Sequence, residues 1–304
     1  MTIRSGFSLL RETFTEWSAD QAPMLGAALA YYTLFSLAPL LLIVIAVAGL
    51  VLGPEAASGQ LFDQLRSTVG DDTAAAVQDL VKNAGAKPSA GWIATLIGSA
   101  ALLFGASGVF GQLQASLNQI WNVAPRPGRG WRALVKERLL SFGFILVTGF
   151  LLLVSLLLTT GIAFAAKWMG NLTTGTEWAG QWLNAGVSLG VITLLFALIF
   201  KFLPDVRIAW HDVWIGAFLT ALLFTLGKSI LGLYLGRSGV SSTFGAAGSL
   251  IGLMVWVYYS AQILFFGAEF TQVYANRFGS RVSPTGTSVA VASSLTAADP
   301  TAKS

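Results

Sequence analysis

The sequence predicts an all-α, polytopic membrane protein of six transmembrane helices with both termini on the cytoplasmic side. Three observations predict it: charge is scarce, the scarcity falls in long windows, and the remaining cations divide unequally between alternate loops. Of the 304 residues 55% are hydrophobic and 11% charged, against roughly 25% charged in a soluble domain. Crossing a hydrocarbon core of roughly 30 Å takes about 20 apolar residues of helix. Residues 21–54, 88–125, 139–166, 178–200 and 238–268 contain no charge at all, and 213–236 contains only Lys228. A transmembrane barrel would alternate in runs of about 10 residues, whereas these windows are continuous.

The cations orient the helices. Arg4, Arg11, Arg126, Arg129, Arg132, Lys136, Arg138, Lys201, Arg207, Arg277, Arg281 and Lys303 fall on one side of the expected membrane; only Arg66, Lys82, Lys87, Lys167 and Arg237 fall on the other. Basic loops are retained in the cytoplasm, so the richer side, which holds both termini, is placed inside. The net charge of +4 is thereby explained by topology and anionic lipid rather than by nucleic acid. The absence of cysteine excludes disulfides, thiolate catalysis and cysteine metal sites.

Residues 1–20 form the first element. Ile3, Phe7, Leu10, Phe14 and Trp17 recur at helical spacing on one face, the pattern of an amphipathic helix lying in the inner interface. Arg4, Arg11, Glu12, Glu16 and Asp20 make this stretch too polar for a cleavable signal, so the apolar run after it is expected to be retained as a span. Residues 21–278 form the transmembrane domain, with spans at about 22–53, 92–118, 139–166, 181–203, 212–236 and 246–273. In the first span Pro39 is the expected hinge, because an interior proline removes a backbone hydrogen bond. The outer loop, 55–90, carries Leu61 with Leu65 and then Val77 with Leu80 and Val81, which predicts two short amphipathic helices.

Small residues mark the expected helix contacts. In the second span Gly98, Gly105 and Gly108 belong to a stripe spaced by three and four residues; Gly232 and Gly236 close the fifth span, and Gly248 and Gly252 open the sixth. Such stripes let helices approach closely, within one chain or between two, so the oligomeric state stays open. Residues 279–304 are rich in Ser, Thr and Ala without an apolar period and are expected to be a disordered cytoplasmic tail.

Four stretches carry a family resemblance: AALAYYTLFSLAPLLL at 27–42, FGASGVFGQLQASLNQIWNV at 104–123, FLPDVRIAWHDVWIGAFLTALLFTLGKSILGLYL at 202–235 and LMVWVYYSAQILFFGAEF at 253–270. They cover most of spans one, two, five and six, and the sequence resembles the YihY/virulence factor BrkB family, once labelled ribonuclease BN. The resemblance implies a six-span protein of the bacterial inner (cytoplasmic) membrane, linked to serum resistance and, in some members, to export or lipid movement. It implies no agreed catalytic residues.

Charges within spans are functional candidates by default. Lys228 is the candidate intramembrane charge, with snorkelling to the interface as the plain alternative. Glu269, with Gln112, Gln114, Asn118, Tyr31 and Tyr32 at similar depth, forms a candidate polar vestibule; the plain alternatives are an end residue and ordinary interhelical hydrogen bonds. Helix rise places Lys228 in the outer half and Glu269 near the inner face, too far apart to pair. Gly227-Lys228-Ser229 lacks the earlier glycine of a phosphate-binding loop, Leu222 standing there. His211, the one histidine, lies among scattered carboxylates that make no metal site, and neither an acid and base pair nor a bound metal is assembled for a ribonuclease. The expected function is therefore non-enzymatic and free of cofactors: a transporter or translocator of a lipid or small amphipathic solute, with no ATP hydrolysis of its own. The alternative is a non-transporting envelope or serum-resistance factor that binds lipids or scaffolds partners. Membrane lipids are the expected partners, and nucleic acid is not.

Overall fold

The computed structural model describes residues 3–85, 92–126, 143, 177–237, 246–286 and 288–291. In chain order the elements are α1 (Ile3–Ala19), α2 (Ala22–Leu52), α3 (Pro54–Val69), α4 (Asp71–Gly85), α5 (Trp92–Ile120), β1 (Val123–Pro125), α6 (Glu177–Phe202), β2 (Val206–Arg207), α7 (Trp210–Arg237), α8 (Ala246–Phe278), β3 (Ser283–Pro284) and β4 (Ser288–Ala290). Among the described residues four helical stretches are long and apolar enough to cross a membrane: Ala22–Ala46, Ala185–Phe202, Trp210–Leu231 and Leu250–Phe278. The expected second span coincides with α5. The expected third span, 139–166, lies outside the described residues except for residue 143.

Helix α8 is the hub, packing against α7, α2, α1, α4 and α5, while α5 packs on α2 and α6 on α7. Its contact with α7 is a reciprocal interlock. Thr271 donates its hydroxyl to the Gly267 carbonyl at 2.6 Å, and Thr220 donates to the Gly216 carbonyl at 2.7 Å. A Cβ on Gly216 would fall on Thr271 Oγ1, and one on Gly267 would fall on Thr220 Oγ1. Each threonine thus satisfies its own hydroxyl one turn back and seats its side chain over the other helix's glycine, a small-residue contact of the kind that joins helices in lipid. Between α2 and α5, Ser36 donates to the Gly105 carbonyl at 2.6 Å, and a Cβ on Gly105 would stand 3.3 Å from the Pro39 ring. Helix α2 itself runs unbroken through Pro39.

At one end of the bundle α3 and α4 form a cap, as the loop periodicity predicts. Phe62, Val77 and Val81 bury their side chains against Leu41 and Leu253. Gly53 and Gly70 turn the chain at φ 83° and 87°, values that side chains with a Cβ rarely adopt. The apolar exterior is extensive: Leu50 is 87% exposed and Phe35 64%, with Leu226 and Ile230 also exposed. So many exposed large apolar side chains on helices of this length belong in lipid.

The other end gathers the junction of α1 with α2, the end of α5, the α6–α7 connection and the end of α8. Gln119 donates to the Asp20 carbonyl at 2.9 Å. Asn118 bonds Asp205 twice, donating to its carboxylate at 3.2 Å and accepting from its backbone N–H at 2.8 Å. The tail corrects the expectation of disorder over 279–304 for the part described. β3 pairs antiparallel with β2, and β4 with β1. Asp212 accepts from the Ser280 N–H at 2.9 Å and hydroxyl at 2.8 Å, while Ser288, itself buried, donates to the Asp205 carbonyl at 2.6 Å. Polar side chains that bond backbone order this segment, which apolar periodicity does not register.

Candidate functional site

Helix α1 turns the face opposite most of its apolar stripe to the bundle. Leu9 and Thr13 are buried against α8, whereas the stripe of Phe7, Leu10 and Phe14 points outward, Phe7 being 73% exposed. The stripe is thus free for lipid, and the polar positions Glu12, Glu16 and Asp20, four residues apart, run along the other side. Arg277 near the end of α8 pairs with Glu12 at 3.1 Å and also reaches the Ser8 hydroxyl at 3.2 Å. Between the two helices lies a cleft of about 610 Å³ lined by Glu12, Glu16, Asn122, Gln272, Asn276 and Arg277.

Just past the end of α1, Gln21 adopts a left-handed conformation, φ 54°, and the chain reverses into α2 with no side-chain cap. The turn brings the partly buried Asp20 carboxyl to face Glu269. Burial, first, lifts the Asp20 carboxyl above its ordinary range; the Glu269 contact opposes this, and the Glu16 charge adds to it. Glu269 has no exposed surface, and neither of its carboxyl oxygens has a hydrogen-bond donor; Asp20 Oδ2 also lacks one. Two turns deeper on the same face of α8, the Gln262 amide is buried with both polar atoms unpartnered, opposite Gly26 of α2. Asn276, Gln272, Glu269 and Gln262 therefore make one polar track along α8, from the cleft into the bundle. Unpaired buried polar groups are costly, and a track of them marks a site.

The structure does not assemble the vestibule as the sequence placed it. Glu269 lies in the site, but Asn118 is committed to Asp205. Gln112, partly buried, donates to Ser116 at 3.3 Å, and Gln114 is partly buried. Tyr31 and Tyr32 are exposed on α2, forming an aromatic row with Phe35. Equal depth does not imply a shared face: α2 turns Ala22, Leu29 and Ala30 inward, and the tyrosines lie off that side. Lys228 is exposed and stands apart from Glu269. The α7–α8 contacts Gly216 with Thr271 and Gly267 with Thr220 put Lys228 level with Tyr259, ten residues or about 15 Å of rise from Glu269.

Of the glycines expected at contacts, Gly105 and Gly108 meet α2 through Pro39 and Ser36, and Gly252 meets Thr73 of α4. Gly248 is buried. Gly98, Gly232 and Gly236 lie in helices, but their surroundings fall outside the described residues. His211 stands 3.4 Å from Asp212, whose carboxylate holds Ser280. Among the described residues no group of three or more His, Cys, Asp or Glu is placed to hold a metal ion. The cleft and Gln262 escaped sequence reasoning, although their signal was present as a second, polar periodicity: 12, 16, 20 on α1 and 262, 269, 272, 276 on α8.

Comparison with known proteins places the chain. A family profile described as Virulence factor BrkB matches residues 13–291. A UPF0761 membrane protein of Tolumonas auensis is 31% identical over 260 residues, covering 83% of this chain and 80% of that protein. One of Verminephrobacter eiseniae is 29% identical over 268 residues, covering 86% of this chain and 60% of its own length. One of Ralstonia nicotianae is 24% identical over 274 residues, covering 86% and 57%. The chain thus spans less than two thirds of the latter two proteins. No solved structure matches.

Proposed function

The chain belongs to the virulence factor BrkB family of membrane proteins, and from that premise we propose that it is a six-span protein of the bacterial inner membrane that translocates a lipid or small amphipathic solute. It does so without hydrolysing ATP and without acting as an enzyme. The observation that carries this reading is the polar track on α8, which leads from a cleft between α1 and α8 to a fully buried Glu269. Intramembrane acids of this kind mark solute and ion paths.

The packing supports six spans with both termini at one end of the bundle, and loop charge favours that end as the inner one. The start of α2 and the ends of α5, α6 and α8 meet at one end of the bundle. Helix α6 therefore begins at the opposite end from where α5 finishes, so residues 127–176 have to connect the two ends. That leaves room for one further crossing, the span expected at 139–166.

The test is flux. In proteoliposomes loaded in turn with fluorescent phospholipids and amphipathic solutes, the protein is expected to move at least one probe, and Glu269→Gln to slow it tenfold or more. Equal rates in the variant would remove the track from the mechanism. The exposed stripe of Phe7, Leu10 and Phe14 favours a second reading, a lipid-binding envelope factor. Vesicle binding without flux of any probe would select it.

A further inference from the structure

Two carboxyl groups facing each other without a donor lack one component. An ionised carboxylate only accepts hydrogen bonds, yet Asp20 and Glu269 face each other while three of their four oxygens are buried without a donor. Two like charges facing each other, with Glu269 fully buried and Asp20 partly so, are strongly disfavoured, and the neighbouring Phe265, Ala268 and Ala22 belong to the buried apolar cluster.

We propose that the Asp20–Glu269 pair is a proton-binding site, holding one proton between the two carboxyl groups and exchanging it with water in the α1–α8 cleft. The proton arrives from that water, forms an O–H bond on one carboxyl and a hydrogen bond to the other, and leaves by the same route. Bound, the pair carries a single negative charge.

The surroundings favour a proton over other cations. Among the described residues the cations nearest this end are engaged elsewhere: Arg277 pairs with Glu12, and Lys201 of α6 donates to the Ile208 carbonyl at 2.5 Å. Helix α7 faces this end with Asp212, held by Ser280, and α2 and α5 contain no charged residue. From α1, Glu16 adds only negative charge beside the pair. A metal ion needs several oxygen ligands, whereas a proton needs two. The fully buried Glu269, with no donor to either oxygen, is what singles out this acidic group from solvated ones.

Proton binding stands without the translocator reading; its use as the coupling step rests on that reading. The experiment is infrared spectroscopy of the purified full chain in lipid across pH, with choline chloride as the salt. A protonated-carboxyl band at neutral pH, shifting in deuterium oxide and lost in both Glu269→Gln and Asp20→Asn, is expected. The wild-type spectrum alone decides the first point, so a variant that fails to fold does not protect the proposal. Absence of the band at neutral pH overturns it, as does its persistence in both folded variants. Loss of the wild-type band when sodium replaces choline would make the site a sodium site and overturn the proton assignment. Band without flux sinks translocation alone, and flux without the band sinks the proton site alone.

Discussion

At the residue scale the polar end of the bundle separates groups that hold the fold from groups that lack partners. Asn118 and Asp205 satisfy each other, as do Asp212 and Ser280; Glu269 and Gln262 have nothing comparable. Asp20 carries a consequence for pH. Its carboxyl is raised from 3.8, so docked α1 binds the Asp20 proton more tightly than undocked α1. Docking is therefore favoured in full below the ordinary value and loses that contribution as pH rises through the raised one. With Thr13→Cys as a reporter in this cysteine-free chain, thiol labelling of the buried face of α1 is expected to quicken as pH rises. Asp20→Asn is expected to flatten the dependence. Glu269 was legible in the sequence as an acid in an apolar helix. Its partner was not, because Asp20 reaches it only through the left-handed turn at Gln21, a conformation that glutamine does not advertise.

At the element scale, the amphipathic helix 1–20 and the two outer helices were legible from apolar period and the first span from its charge-free window, and α1 to α4 follow them closely. Which face each helix buries was less so. The apolar stripe of α1 points away from the protein because lipid, rather than water, surrounds the bundle, so the usual equation of apolar with buried fails there. A tight contact between α7 and α8 was also missed. Gly216 with Thr220 and Gly267 with Thr271 are each small residues four apart, but only the cross-helix fit shows that the two pairs meet. Gly267→Val is expected to cost about 1–3 kcal/mol by overpacking, read as a lower thermal midpoint in detergent. Gly6→Val, where a Cβ meets nothing, should leave that midpoint within measurement error.

At the scale of the whole molecule, hydropathy fixes membrane residence and loop charge proposes the orientation. With no native cysteine, single cysteines test it directly: one at Gly59, in α3, is expected to react with an impermeant thiol reagent added to intact cells, and one at Gly286 only after the membrane is opened. The reverse pattern would invert the topology. The tail was the least legible part, since its order comes from pairing with β1 and β2, each far away in sequence. Those pairings also impose an order of events during synthesis. Val123 finds Ala290 only after α8 has been made, so the two ladders close late, and only if an even number of crossings separates their strands. A helix inserted backwards would strand β1 and β4 on opposite sides of the bilayer. The clasp is in effect a parity check on biogenesis, one that a nascent chain fails whenever an odd number of the crossings between β1 and β4 is missed.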